Sequence, residues 1–514
     1  MGKTRITPPR LGFPEKELRQ RTVRGAVLNA FFMGGTQLLA LLQGLIAAAL
    51  LSPVAIGLYG IVSTTAITLV ELKRVGIDEA FVQQSEPDQE SEFQKAFTVE
   101  LTISVVASGV IVLLAPILAA IYGDWRLLPL TLAVAYLPVG FALQAGTWVF
   151  FREMDFFRVR ALQAITPVVS FVVAVPLLFA GGGVWSLVIG PFVGTVVGVA
   201  ATLKLSPYPL RVRVEPAARR RYLRFSWPIF VSAAALLAVQ QGQLLAFNAA
   251  TGLEGVGFVT LAFALTRYAD RADQIVATTI YPAICAVADR IGTLEELFVK
   301  SGRLTLMWVG AFCAGLILFA PDLVQLVLGD EWEPAIVVIQ GLAAAAALQQ
   351  IGYSWFAFYR ARGESRPQAV EASVMVAAFA LLALPPLFAW GEEGFAWGRV
   401  ASVLPVLVVR RTFVRRLLPG VSLLRLGARA ALPIAIGVLA PLALRLATWG
   451  GERQGWQALA EIAAWLAATV CATWLLERRL LAEVRANMRG RQLFPVGEED
   501  GREPPHVVAP HGVR

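Results

Sequence analysis

Histidine is nearly absent from this chain of 514 residues: His506 and His511 are the only two, and both lie in a polar, Pro-containing C-terminal tail. Histidine triads, histidine-ligated metals and a histidine general base are therefore excluded from the body of the chain. The three cysteines, Cys285, Cys313 and Cys471, sit in or at the ends of apolar runs with no pairable spacing. That argues against disulfides and zinc sites. No Gly-x4-Gly-Lys-Ser/Thr sequence occurs, so ATP hydrolysis by a phosphate loop is not expected. Charged residues make up only 16% of the chain, against about a quarter in soluble domains. No cofactor or metal is expected.

Apolar sequence is what the chain has in abundance. Hydrophobic residues account for 57% of it, and the mean hydropathy is +0.65. Apolar runs of roughly 20 residues, the length needed to cross about 30 Å of hydrocarbon, follow one another almost without pause. Fourteen spans can be placed between residues 26 and 476. The first run is too long for a signal peptide and reads as a retained helix.

The gaps between spans alternate in charge. Thirty-seven of the 45 lysines and arginines fall in every second gap or at the two ends, whereas Arg126, Arg399, Arg445 and Arg453 belong to the other side. Short loops rich in Lys/Arg stay cytoplasmic, so this pattern predicts a multi-pass protein with both termini in the cytoplasm. The two sides are called the basic and neutral faces below. The net charge of +9 is thereby explained without nucleic acid as a partner. Neutral-face connections are very short, for example Ser52-Pro53-Val54 and Gly181-Gly182-Gly183.

The layout predicts a basic N-terminus (1–25), an N-lobe of six spans (26–203), a basic linker (204–225), a C-lobe of six spans (226–416), two further spans (417–477) and a disordered cytoplasmic tail (478–514). The lobes repeat at an offset near 200: Gln43 matches Gln243, Gly57 matches Gly257, and Arg21 and Arg24 match Arg221 and Arg224. Units with an even number of spans insert in the same orientation, related by an axis along the membrane normal. Segments 14–25 and 214–225 read equally as amphipathic surface helices or as linkers that set topology. The fold class is all-α and polytopic.

Four cations, Lys73, Arg74, Arg267 and Arg271, belong to neither face. A mid-span charge costs about 2.5–3.5 kcal/mol and normally faces water or a partner. In the second span Glu71, Arg74 and Asp78 share a helical face while Lys73 points elsewhere. In the eighth, Arg267, Asp270 and Arg271 are neighbours, with Asp273 at the edge of their arc. Glu71 and Arg271 correspond in the repeat, as do Ile67 and Arg267. If the lobes face each other, both clusters line one net-basic cleft for an anionic or polar substrate; the plainer reading is that they are intrahelical ion pairs. Gln240, Gln241, Gln243 and Asn248, with Gln37 and Gln43, suit either sugar hydroxyls or contacts between packed spans. The expected cavity residues are Arg267, Arg271, Arg74, Asp270, Glu71, Lys73, Gln240, Gln243 and Gln43.

Scattered motifs occur in an order seen before: Phe81-Val82-Gln83-Gln84, Phe97, Tyr122-Gly123-Asp124, Phe151-Arg152 with Phe156, Gly183-Val184-Trp185-Ser186-Leu187-Val188 and Leu205-Ser206-Pro207. From about residue 20 to 415 the chain resembles Wzx-type oligosaccharide flippases of the multidrug/oligosaccharidyl-lipid/polysaccharide (MOP) exporter superfamily, with colanic-acid and teichuronic-acid exporters as the nearest branch. Asp270, Arg271 and Asp273 depart from the usual apolar run. The resemblance implies a bacterial inner-membrane protein that moves undecaprenyl-diphosphate-linked repeat units outward by alternating access, for lipopolysaccharide O-antigen, exopolysaccharide or capsule. It also implies a lipid-linked oligosaccharide substrate, contact with membrane lipids and a polysaccharide-polymerase assembly, and H+ or Na+ as a coupling ion. A drug/cation antiporter of the same superfamily would carry an acidic residue in its first span, which residues 26–51 lack. A membrane glycosyltransferase or ligase would need a sizeable neutral-face loop, and an enzyme is disfavoured. A scaffold without transport would not need the charged spans.

Overall fold

The computed structural model describes residues 15–73, 77–84, 86–153, 155–215, 240–269, 284, 287, 290–362, 364, 366–447 and 454–488. Arg74, Asp270, Arg271 and Asp273 lie outside them, as do residues 1–14, 216–239 and the tail from 489. The described chain is helical. Its first half comprises α1 (Glu15–Leu50), α2 (Pro53–Lys73), α3 (Ile77–Gln83), α4 (Gln89–Tyr122), α5 (Leu127–Val134), α6 (Leu137–Leu143), α7 (Thr147–Arg152), α8 (Phe156–Phe179) and α9 (Ser186–Leu205). After the linker come α10 (Gln240–Ala269), α11 (Ile291–Leu323), α12 (Ala335–Gln349), α13 (Trp355–Ala361), α14 (Arg366–Ala378), α15 (Leu384–Leu417), α16 (Leu423–Ala447) and α17 (Gly455–Met488).

Ten stretches are long and apolar enough to cross a membrane, and Leu127–Leu143 and Ala335–Gln349 are shorter apolar helices. Two stretches also reverse within themselves. Gly252 (φ 74°) divides α10, and Gly391 (φ 61°, ψ −140°) divides α15. Only glycine takes such backbone angles without strain. Counting these reversals gives fourteen passes among the described residues. The chain is a multi-pass, all-α membrane protein.

Local chemistry ends the helices where the motifs lie. Asp88 Oδ1 accepts from Ser91 N–H at 3.0 Å to start α4, and Gly123, left-handed at φ 71°, stops it. Asp124 then pairs with Arg126, whose side chain hydrogen-bonds its carboxyl and holds it below the usual carboxylate range. The fourth and tenth passes are broken rather than continuous, at Gln144–Gly146 and at Gln350–Ser354. Fully buried Arg410 repairs the second break: its guanidinium donates to the Gln349 and Ile351 carbonyls and pairs with Glu371 at 2.7 Å.

The hydrophobic cores reveal the shape of the molecule. The largest cluster joins both halves of the chain, combining Ile56, Ile61 and Leu127 with Phe247, Val259, Trp332 and Phe395. Most of its members come from the neutral-face part of their passes, with Leu69 and Leu72 continuing it along α2. Toward the basic face the cores separate. One holds Ile77, Phe81, Phe93 and Val149 of the first half; another holds Leu294, Phe298, Phe358 and Leu418 of the second. Among the described residues the lobes are thus fused at the neutral face, and their cores at the basic face are separate. The linker leaves α9 as extended chain over 206–215 rather than as a helix and stays with the first lobe. There Arg213 N–H donates to Thr98 Oγ1 at 2.7 Å, and Lys95 pairs with Glu215 at 2.6 Å.

Replacing Arg410 by Met strands Glu371 and two carbonyls in a buried site, at a cost of about 3–5 kcal/mol. Arg410→Lys cannot reproduce the fork of donors. Both variants should lower the thermal unfolding midpoint of the purified protein, and Arg410→Met should lower it more.

Candidate functional site

Four passes form the seam between the lobes: α1, α2 and the two arms of α10. Gly57 and Gly257, equivalent in the repeat, meet backbone to backbone. A Cβ on Gly57 would come within 3.0 Å of Gly257 N, and one on Gly257 within 2.0 Å of Pro53 O. One turn on, a Cβ on Gly60 would lie 2.9 Å from the Thr260 Cβ. Only residues without bulk allow helices this close. Two hydrogen bonds cross the seam in pseudo-symmetric fashion. Gln241 Nε2 donates to Thr65 Oγ1 at 3.0 Å, linking the first arm of α10 to α2. Tyr268 Oη donates to Gln37 O at 3.1 Å, linking the second arm to α1.

Beneath this seal lies a cavity of about 360 Å³, within the usual range of ligand pockets. The first lobe contributes Gln37, Gln43, Tyr59 and Ser170, and the second contributes Thr260, Arg267 and Tyr268. Ser170 Oγ approaches Gln43 Oε1 at 3.5 Å. Arg267 is exposed and lines this space together with Tyr59. Among the described lining residues it is the one cation, and no carboxylate accompanies it. A guanidinium held in this way supplies five donors in a planar fork, a match for phosphate.

The expected site residues fare differently. Arg267 and Gln43 line one cavity, together with Gln37. Glu71 is exposed on α2, where the other exposed residue is Ile67, 46% exposed. Positions 67 and 71 extend an arc begun by half-buried Ser63 and Thr64. On the second arm of α10 the equivalent arc, 263, 264 and 267, includes cavity-lining Ala264 and Arg267. The same register on symmetry-related helices turns both arcs toward the gap between the lobes.

Lys73 does not join the cavity. Its Nζ is buried against α4, 2.5 Å from Glu100 Oε1 and 2.9 Å from Ser104 Oγ. A partner on the next pass, 27 residues away and out of reach of helical spacing rules, takes this charge. Gln243 is buried with no hydrogen-bond partner for its Nε2 among the described residues, and Gln240 is exposed outside the lining. Tyr59, Tyr268, Ser170 and Thr260 carried no signal in the sequence, because ordinary core residues look the same.

The family model for polysaccharide biosynthesis proteins matches residues 46–337, more than half of the chain. The chain belongs to that family. A curated relative, the succinoglycan biosynthesis transport protein ExoT of Rhizobium meliloti (strain 1021), is 22% identical over 308 residues, covering 59% of this chain and 62% of the relative. The chain therefore aligns with less than two thirds of that relative's length. Among solved structures, a lipid II flippase MurJ in an inward closed conformation superposes with a TM-score of 0.70 at 12% identity, over 88% of this chain and all of that one. An inward-facing multidrug-resistance MATE transporter of the MOP superfamily gives 0.59 at 17% identity, over 75% and 96%. These likenesses show that this family member shares the fold of those two transporters.

Single cysteines at Ile67, Glu71, Ala264 and Arg267 in a background lacking Cys285, Cys313 and Cys471 should react with a membrane-impermeant thiol reagent supplied at the basic face. The same reagent at the neutral face should leave them unmodified. Labelling of 264 and 267 without 67 and 71 would show that α2 turns its polar arc elsewhere.

Proposed function

We propose that this polysaccharide-biosynthesis family member is a flippase for lipid-linked oligosaccharides, taking an undecaprenyl-diphosphate carrier at the basic, cytoplasmic face and releasing it at the neutral face by alternating access. The observation that carries this reading is Arg267 in a cavity whose described lining holds no other cation and no carboxylate, closed at the neutral face by the Gly57–Gly257 crossing. Such a cavity repels a cationic drug and attracts a diphosphate, while Gln37, Gln43, Ser170 and Thr260 offer hydrogen bonds to the adjoining sugars. The polyprenyl tail, being apolar, needs no polar path and remains in the lipid. An inside-negative potential drives negative charge outward by about 2.3 kcal/mol per charge per 100 mV, so ATP is not needed. The roles of two similar proteins, succinoglycan transport and lipid II flipping, agree in kind.

Alternating access follows from where the lobes touch. Release at the neutral face requires the glycine crossing to part, and the separate basic-face cores can then approach as intact bodies. Small residues make the seal close-fitting yet free of interlocking side chains that would have to be unpacked.

Arg267→Gln removes one charged contact to the diphosphate, worth about 1.5–3 kcal/mol, or roughly 10- to 150-fold. Transfer of lipid-linked glycan in reconstituted vesicles should fall by that order, with Arg267→Lys intermediate. Parental rates in Arg267→Gln would remove this residue from the transport path. A Gly60→Cys/Thr260→Cys pair starts at a Cβ spacing of 2.9 Å, about 1 Å short of disulfide geometry. Oxidation should arrest transport and a thiol reductant should restore it; undiminished transport by the oxidised protein would contradict alternating access through this seam.

A further inference from the structure

A second cavity, of about 550 Å³, lies away from the seam, where the two arms of α15 meet at the neutral face. Its floor is made by close backbone approach. A Cβ on Gly394 would come within 2.0 Å of the Pro386 carbonyl, and one on Gly398 within 2.3 Å of the Leu382 carbonyl. Its walls are indoles from opposite arms: Trp390 ends the first arm and is 72% exposed, and Trp397, on the second, is 75% exposed. Glu393 stands between them, exposed, two residues after the Gly391 reversal and therefore at headgroup depth. Among the described residues no cation pairs with it. Interfacial tryptophans are common on membrane proteins as a belt. A belt does not account for a groove with a carboxylate between two indole walls.

We propose that this groove is a binding site for a phospholipid with an amine headgroup. The ammonium is held by Glu393 and the faces of Trp390 and Trp397, and an acyl chain lies along the glycine floor. The charge complement is specific: a carboxylate and two aromatic faces attract a cation, and they repel the phosphoglycerol headgroup of an anionic lipid. The remaining lining is apolar, which suits a hydrocarbon chain and leaves the hydroxyls of a glycan without partners. This site does not depend on the transport reading, because it faces the surrounding bilayer and not the space between the lobes.

The full-length protein, reconstituted in vesicles of equal phosphatidylethanolamine and phosphatidylglycerol and then stripped with detergent, should retain phosphatidylethanolamine in preference, as counted by native mass spectrometry. Glu393→Gln should reduce that retention by up to roughly fivefold with an unchanged unfolding midpoint, and Glu393→Lys should reverse the preference toward phosphatidylglycerol. Trp397→Ala should weaken retention more than Trp397→Phe, which keeps an aromatic face. Equal retention of the two lipids by the parent overturns the proposal. So does a Glu393→Gln protein that keeps the parent's ratio, or recovery of a glycan or a second protein in the groove.

Discussion

Two glycines in van der Waals contact, Gly57 on the second pass and Gly257 on the eighth, hold the architecture together. They are the same position in the two halves of the repeat, so their contact lies on the axis that relates the lobes. Any side chain at either position would push the helices apart by more than the packing tolerates. Around this point the shared core collects, and the Gln241–Thr65 and Tyr268–Gln37 hydrogen bonds flank it, both donated by the second lobe to the first. Away from it, toward the basic face, each lobe closes its own core. Among the described residues no comparable contact occurs at the other face, and the geometry is hinge-like.

The charges of the spans divide according to this geometry. Where a cation has a carboxylate within a neighbouring pass it is structural: Lys73 with Glu100, Arg410 with Glu371, Arg303 with Glu477, and Arg445 with both Asp322 and Glu461. The last two fasten α16 and α17 to α11 at opposite ends, so this hairpin belongs with the second lobe. Among the described residues, Arg267 instead faces a cavity. Burying an unpaired guanidinium in hydrocarbon is costly, whereas water or an anion in the cavity relieves that cost. The cavity's polarity is therefore part of what allows the residue to exist there.

Much of this was legible in the sequence, through features that depend on one dimension. The alternation of cations marks the two faces because topology is set loop by loop. The Gly57–Gly257 match at an offset of 200 was visible as a coincidence of position, but nothing in the sequence showed that the two touch. Arg267 and Gln43 were recognisable because an isolated polar group in an apolar run has few explanations. Lys73 looked equally functional, and its pairing with Glu100 was hidden because the partner is 27 residues distant on an adjacent helix. Tyr59, Ser170, Thr260 and Tyr268 became site residues only when α1, α2, α8 and α10 were brought together. The reversals near Gly252 and Gly391 were legible as breaks between apolar runs, whereas the backbone angles that make them were not.

The central claim is that the lobes pivot about the neutral-face glycine crossing. Pulsed electron-spin distance measurements on two pairs of labels test it most directly. One pair, at Arg158 and Arg362, spans the basic ends of the lobes; the other, at Trp125 and Glu331, spans their neutral ends, and all four sites are exposed. On adding lipid-linked oligosaccharide, the basic-face distances should shift to shorter values as the neutral-face distances shift to longer ones. Distances that stay fixed at both faces, or change in the same sense, would contradict the pivot.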